Sequence, residues 1–146
     1  MIEAAVQATL DAVAAAMADE PDDWWIIGSA AVALHGADTE IADIDVLTSA
    51  AAARRIGARL GIEPIARPSD RFQSTVFLSL VGWPLSVEVM GDLALAIGGS
   101  WLPIRPVTRM RIGTIYVPSR IELVEILHRF GREKDHMRAV ALGAHS

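Results

Sequence analysis

Three acids stand where a strand pattern gives them a common direction. Asp43 and Asp45 lie in Ala-Asp-Ile-Asp-Val, and residues two apart on a strand point to the same face. Ala42, Ile44 and Val46 then face the other way, toward a core. Glu88 lies in Ser-Val-Glu-Val-Met, where the valines pack inward and the acid points out with Ser86. If the two strands are neighbours, three carboxylates converge on one patch. Such a patch is costly unless neutralised, because each close carboxylate raises its neighbour's pKa. A divalent cation with a preference for hard oxygen ligands neutralises it, and Mg²⁺ usually shares its site with phosphates. Upstream, Gly28-Ser29 falls where a strand turns into a helix. Gly permits close backbone approach, and a helix start offers free N–H groups and a positive dipole end to an anion. Ser29 could cap that helix or donate its hydroxyl to a phosphate.

The elements that must position these groups can be read along the chain. Residues 3–18 form an Ala-rich helix with Val6, Leu10, Val13 and Met17 at helical spacing. Trp-Trp-Ile-Ile-Gly has the bulk and branching of a buried strand, and Ser29 to Gly36 a short helix. After a polar loop at 37–41, residues 42–48 alternate as a strand, and Ser49 caps a helix running to Gly61. Phe72–Val81 and Leu85–Met90 read as two strands joined at Gly82-Trp83-Pro84. Residues 91–104, apolar and Gly-rich without clear periodicity, read as a loop or short helix. One more strand is expected around Thr114–Val117. Ser119 and Glu122 make a capping-box pattern before a helix to Phe130, and a last helix follows Gly131. The expected architecture is a mixed α/β (α+β) domain over 1–146, a small mixed sheet flanked by helices.

Composition removes several alternatives. The chain has 146 residues, enough for one domain with a real core. It is 52% hydrophobic and 21% charged, which excludes a disordered tail. With no cysteine, disulfide scaffolds, cysteine metal sites and thiol catalysis are excluded. A net charge of −5, from 18 acids against 13 bases, argues against a nucleic-acid coat. The longest uncharged run, Phe72–Val87, is 16 residues and too polar to span a bilayer. The N-terminus lacks the basic region of a signal peptide. The expectation is a cytoplasmic protein with no membrane partner.

The ordered set Ile27-Gly28-Ser29, Asp43-Ile44-Asp45-Val46 and Val87-Glu88-Val89 resembles the nucleotidyltransferase superfamily, the DNA polymerase β-like group and its small prokaryotic members in particular. The terminal Arg-Glu-Lys-Asp-His-Met-Arg resembles the Arg-x-Lys-Asp helix that closes many such domains. The resemblance runs from about Trp24 to Leu142. It implies a nucleotidyltransferase fold, with Asp43, Asp45 and Glu88 as catalytic Mg²⁺ ligands and Gly28 and Ser29 at the phosphates of an NTP. It implies attack of an acceptor hydroxyl on the α-phosphate with release of pyrophosphate. It leaves the acceptor open among a small hydroxylated molecule such as an aminoglycoside, a protein hydroxyl and an RNA end. It also allows for a protein partner, since small members often serve as the antitoxin half of toxin–antitoxin pairs.

Other residues carry weaker signals. Lys134, the sole lysine, could contact the triphosphate together with Arg132, or pair with Glu133 or Asp135 on a helix surface. Arg71 could reach the cleft and hold a phosphate or a base, or cap a sheet edge. Arg54, Arg55 and Arg59 read as a solvated helix face. Trp101, in the 91–104 stretch, is the best base-stacking candidate. His35, His128, His136 and His145 have no zinc spacing. Two functions stay open: an active Mg²⁺-dependent transferase, or a catalytically weak binding module. The second is motivated by Thr39, Glu40 and Ile41, where many small members have a basic approach to the acids. It is also motivated by 91–104 as a partner or homodimer surface.

Overall fold

A computed structural model of the chain describes residues 2–143. Helix α1 (Ala4–Met17) buries the expected stripe of Val6, Leu10, Val13 and Met17. Thr9 ties it down: its hydroxyl donates to the Ala5 carbonyl (2.8 Å) and accepts from the Leu85 amide (3.1 Å). Strand β1 (Trp25–Ile27) runs directly into α2 (Gly28–Leu34), and β2 (Ile44–Thr48) into α3 (Ala50–Leu60). Ser49 caps α3, accepting from the Ala52 amide. Then follow β3 (Phe72–Leu80), β4 (Val87–Ile97), β5 (Ser100–Pro103), β6 (Met110–Ile112), β7 (Ile115–Val117), α4 (Arg120–Phe130) and α5 (Glu133–Gly143).

The main sheet has the order β1-β2-β4-β3, with β5 pairing with β4. Strands β1 and β3 run antiparallel to their neighbours, whereas β2 and β4 are parallel. This is the mixed sheet flanked by helices that the sequence predicts. Alternation divides the sheet into two faces. Ile26, Ile44, Val46, Val87 and Val89 enter the large core beneath α1, α2 and α3. Trp25, Ile27, Leu47, Leu93 and Leu95 form a smaller apolar cluster on the opposite face, covered by Ile126 and Phe130 of α4.

Three expectations are corrected. Residues 91–104 are neither loop nor helix: β4 continues to Ile97, turns at Gly98-Gly99 and returns as β5. Asp92 adopts φ +56° in mid-strand and breaks the alternation. Before it, Glu88 and Met90 face the smaller cluster's side of the sheet; after it, Leu93 and Leu95 do. The period-2 signal is thereby scrambled at the point where it was sought. The β3–β4 hairpin exists, but its connection is 81–86 rather than three residues, because Leu80 and Val87 are the last pair. The single strand expected near Thr114 is a hairpin of β6 and β7, separate from the main sheet.

The capping box at α4 is half formed. Ser119 Oγ accepts from the Glu122 amide (3.2 Å), but the Ser119 amide donates to Thr108 Oγ1 instead (2.9 Å). Glu122 turns its carboxylate to the amides of Val107 and Thr108, both at 2.8 Å, and to the Thr108 hydroxyl. It thus fastens the 104–109 segment to α4. No helix among the described residues is long and apolar enough to cross a membrane.

Candidate active site

Parallel pairing of β2 with β4 sets Asp45 opposite Glu88. Asp43 sits just before β2, on the same side of the strand. Ligand oxygens of the three half-buried carboxylates lie within 4.8 Å of one another. Three hard, anionic oxygen donors at this separation fit a divalent cation of the Mg²⁺ or Mn²⁺ type. Asp45 bears the electrostatic cost of the arrangement. Burial first, then the charges of Asp43 and Glu88, push its pKa from 3.8 up to about 7, against the pull of Arg132 and Arg138.

Gly28 is what allows Asp45 to sit there. It has φ +68°, and a Cβ built on it would lie 2.6 Å from Asp45 Oδ2. The backbone at the β1–α2 junction therefore packs directly against the carboxylate, in register with the Ile27–Asp45 pair. Ser29 is buried next to it, at 3% exposure.

The acids form one side of a cleft of about 350 Å³. Its apolar floor includes Ile27, Met90, Leu93 and Phe130, and four cations also line it: Arg132, Lys134 and Arg138 from the chain's last segment, and Arg67 beside Glu88. Two of these cations are organised by Asp135, which is fully buried. Arg132 donates from Nε (2.6 Å), from Nη2 (3.1 Å) and from its amide (3.2 Å) to the Asp135 carboxylate. Arg138 lies 3.9 Å from the other side of the same group. The guanidinium of Arg132 also stands over the Phe72 ring, 5.1 Å from its centroid. Arg67 pairs with Glu88 at 2.7 Å and lies 4.9 Å above the Phe77 ring.

The chain's architecture has close counterparts of known shape. A candidate nucleotidyltransferase from Thermotoga maritima matches it with a TM-score of 0.78 at 20% identity, over 100% of this chain and 97% of that one. This is the nucleotidyltransferase fold. The lincosamide antibiotic adenylyltransferase LnuA, solved with lincomycin bound, is similar at TM-score 0.59 and 14% identity, covering 100% of this chain and 99% of that one. The antibiotic-resistance factor ANT(2'')-Ia is similar at TM-score 0.60 and 12% identity, covering 95% and 83%. No family model matches the sequence, and no curated protein sequence matches it significantly.

Within this nucleotidyltransferase fold, the residues singled out in the sequence fall in different places. Asp43, Asp45, Glu88 and Lys134 line the cleft. Gly28 and Ser29 stand behind Asp45 rather than on the cleft surface, where Ile27 is the nearest contributor. Arg71 does not line the cleft: its guanidinium donates to the Phe130 carbonyl and so closes the C-terminal end of α4. Trp101 lies on β5, 42% exposed, in a separate depression with Thr75 and Asp92. Thr39, Glu40 and Ile41 border another depression, one that none of the three acids lines. Arg54, Arg55 and Arg59 are exposed on α3, as expected, and Arg55 and Arg59 also pair with Glu20, just beyond α1. His35 shares a hydrogen bond with the Pro118 carbonyl (2.8 Å), and His145 lies outside the described residues.

Sequence reasoning passed over Arg67 and gave Arg138 no role in the cleft. Arg138 carries a usable signal, since it follows Asp135 by three residues and so shares its helix face. Arg67 carries none, being one arginine in an irregular segment.

Proposed function

We propose that the chain is a metal-dependent nucleotidyltransferase that moves a nucleoside monophosphate from an NTP to a hydroxyl on an acceptor. The observation that carries this is the juxtaposition of three convergent carboxylates with four cations across one cleft. Acids alone would repel a triphosphate, and cations alone would hold one without activating it. Together they suit a substrate that arrives with Mg²⁺ and carries several negative charges.

Asp43, Asp45 and Glu88 would hold the metal. When bound, the metal supplies Lewis-acid stabilisation of the phosphoryl oxygens and eases deprotonation of the acceptor hydroxyl. Lys134, Arg132 and Arg138 offset the charge of the polyphosphate, Arg132 prepositioned by Asp135, so that little of its side-chain ordering is left to binding. The Phe72 and Phe130 rings, edge to face at 5.3 Å, give the cleft an apolar wall for a base. The Gly28 turn fixes Asp45 from behind. The net charge of −5 favours a small hydroxylated molecule or a protein hydroxyl over a nucleic acid as acceptor. The likeness in shape to LnuA and ANT(2'')-Ia, named for antibiotic chemistry, favours the small molecule.

Calorimetric titration of the four NTPs with Mg²⁺ tests this. The expected result is Mg²⁺-dependent binding by the wild type that disappears in Asp43→Asn/Asp45→Asn. Absence of binding to well-folded wild type would overturn the reading. Radiolabelled NTP then identifies the acceptor.

A further inference from the structure

We propose that Arg67 is an exchangeable counter-ion of the acidic triad, neutralising Glu88 in the metal-free protein and passing to the nucleotide's phosphates once a divalent cation takes the carboxylates. This rests on the nucleotidyl-transfer reading above.

The arginines of the cleft are built in two ways. Arg132 is fixed: a fully buried carboxylate receives three of its hydrogen bonds. Arg67 is held by one hydrogen bond to Glu88 and by the face of Phe77. Its side chain is 59% exposed and that of Glu88 22% exposed. An ion pair so open to water is weak and screened by salt, so it breaks readily. The backbone around it is nevertheless anchored. The Ile65 amide donates to the Phe77 carbonyl (3.0 Å), and Ser69 Oγ accepts from the amides of Arg71 and Phe72 (3.2 Å each). Arg67 and Pro68 are thereby kept against the cleft between two fixed points, while the exposed arginine side chain is held only by Glu88 and the Phe77 ring.

Charge sets the two states in competition. A cation bound through Glu88 would sit close to a guanidinium 2.7 Å from the same carboxylate, and the two repel at short range. Metal binding therefore displaces Arg67. The displaced group is planar, with five donors, and matches phosphate oxygens in two-point geometry. It needs only a rotation over the Phe77 ring to reach an anion drawn into the cleft.

The test compares wild type with Arg67→Gln and Arg67→Lys by calorimetry, at low ionic strength. The probes are Mn²⁺ alone and then α,β-methylene-ATP with Mg²⁺. Loss of the competitor should tighten Mn²⁺ binding by Arg67→Gln about two- to fivefold. Loss of a charge-assisted phosphate contact should weaken α,β-methylene-ATP about tenfold, with Arg67→Lys recovering part of it. The opposite signs are the signature, since a merely structural arginine would weaken both. Mn²⁺ binding that is unchanged or weaker in Arg67→Gln overturns the counter-ion role, and unchanged nucleotide affinity overturns the exchange; either leaves the transferase reading intact. A wild type that binds no Mn²⁺ overturns both.

Discussion

Replacing Asp45 by asparagine should make the metal-free protein more stable, and the gain should depend on pH. In the folded chain burial, Asp43 and Glu88 raise the Asp45 pKa from 3.8 to about 7. Between those two values the folded protein retains a proton that the unfolded chain has released. Stability therefore falls as pH rises through the window and stays low above it. A rise of this size corresponds to about 4 kcal/mol at pH 8. Asp45 is only half-buried, and the new amide must find acceptors, so the expected gain for Asp45→Asn is about 2–4 kcal/mol at pH 8. Asp43 and Glu88 are available to accept from it. At pH 4 wild-type Asp45 is already protonated, and the gain should shrink below about 1 kcal/mol. Urea unfolding in EDTA at the two pH values measures both. A millimolar excess of Mg²⁺ at pH 8 should then stabilise the wild type but not the variant, because only a binding-competent native state is favoured by mass action. Equal effects of the substitution at pH 4 and pH 8, or destabilisation at pH 8 in EDTA, would refute the account of Asp45 as a strained carboxylate.

Gly28→Ala should lose about 1–3 kcal/mol, from the left-handed backbone and the approach to Asp45 Oδ2, and should weaken Mn²⁺ binding at least about tenfold; unfolding and titration of one preparation check both. Asp135→Asn removes the buried charge that Arg132 pairs with and replaces one of its two acceptor oxygens by a donor, so a loss of about 2–4 kcal/mol in urea is expected together with weaker nucleotide binding. Nucleotide affinity that survives this change would mean that Arg132 and Arg138 do not act on the phosphates. Glu122→Ala takes the acceptor from the part-buried Thr108 amide and hydroxyl, while the exposed Val107 amide turns to water, and thermal unfolding should show a loss of about 1–2 kcal/mol with Mn²⁺ affinity untouched.

Much of the acid side of the site was legible in the sequence because strand alternation is local. Asp43 and Asp45 read as a pair from their immediate neighbours, and Glu88 stood out because an acid between valines has to face away from the core. Their convergence depended on β2 and β4 being adjacent, which alternation cannot reveal. The cationic side was harder. Lys134 and Arg132 are marked by the terminal motif, but Arg138 reaches the cleft beside Asp135, a placement only the fold reveals. Arg67 comes from an irregular segment whose position is set by contacts to Phe77 and Phe72. Arg71, four residues further on, is the same residue type in a similar setting, yet it closes α4. Composition does not separate the two, because the difference lies in which partner each guanidinium meets. The hidden stretch of β4 has a single cause, the left-handed Asp92 that reverses the inward parity in mid-strand.

The parallel register of β2 and β4 also has a kinetic side. Asp45 and Glu88 are 43 positions apart (88 − 45), with α3 and β3 between them. Closing that loop is among the more entropically demanding steps available to the chain. A slip of one residue would turn Glu88 into the core and bring a valine to the cleft. The three-carboxylate cluster thus comes into being only when this long-range pairing is complete and in register. Collapsed chains that have formed α1, α3 or the β3–β4 hairpin still lack it. Divalent metal should accordingly slow unfolding while leaving the rate of refolding nearly unchanged, so that metal occupancy marks molecules that have finished folding.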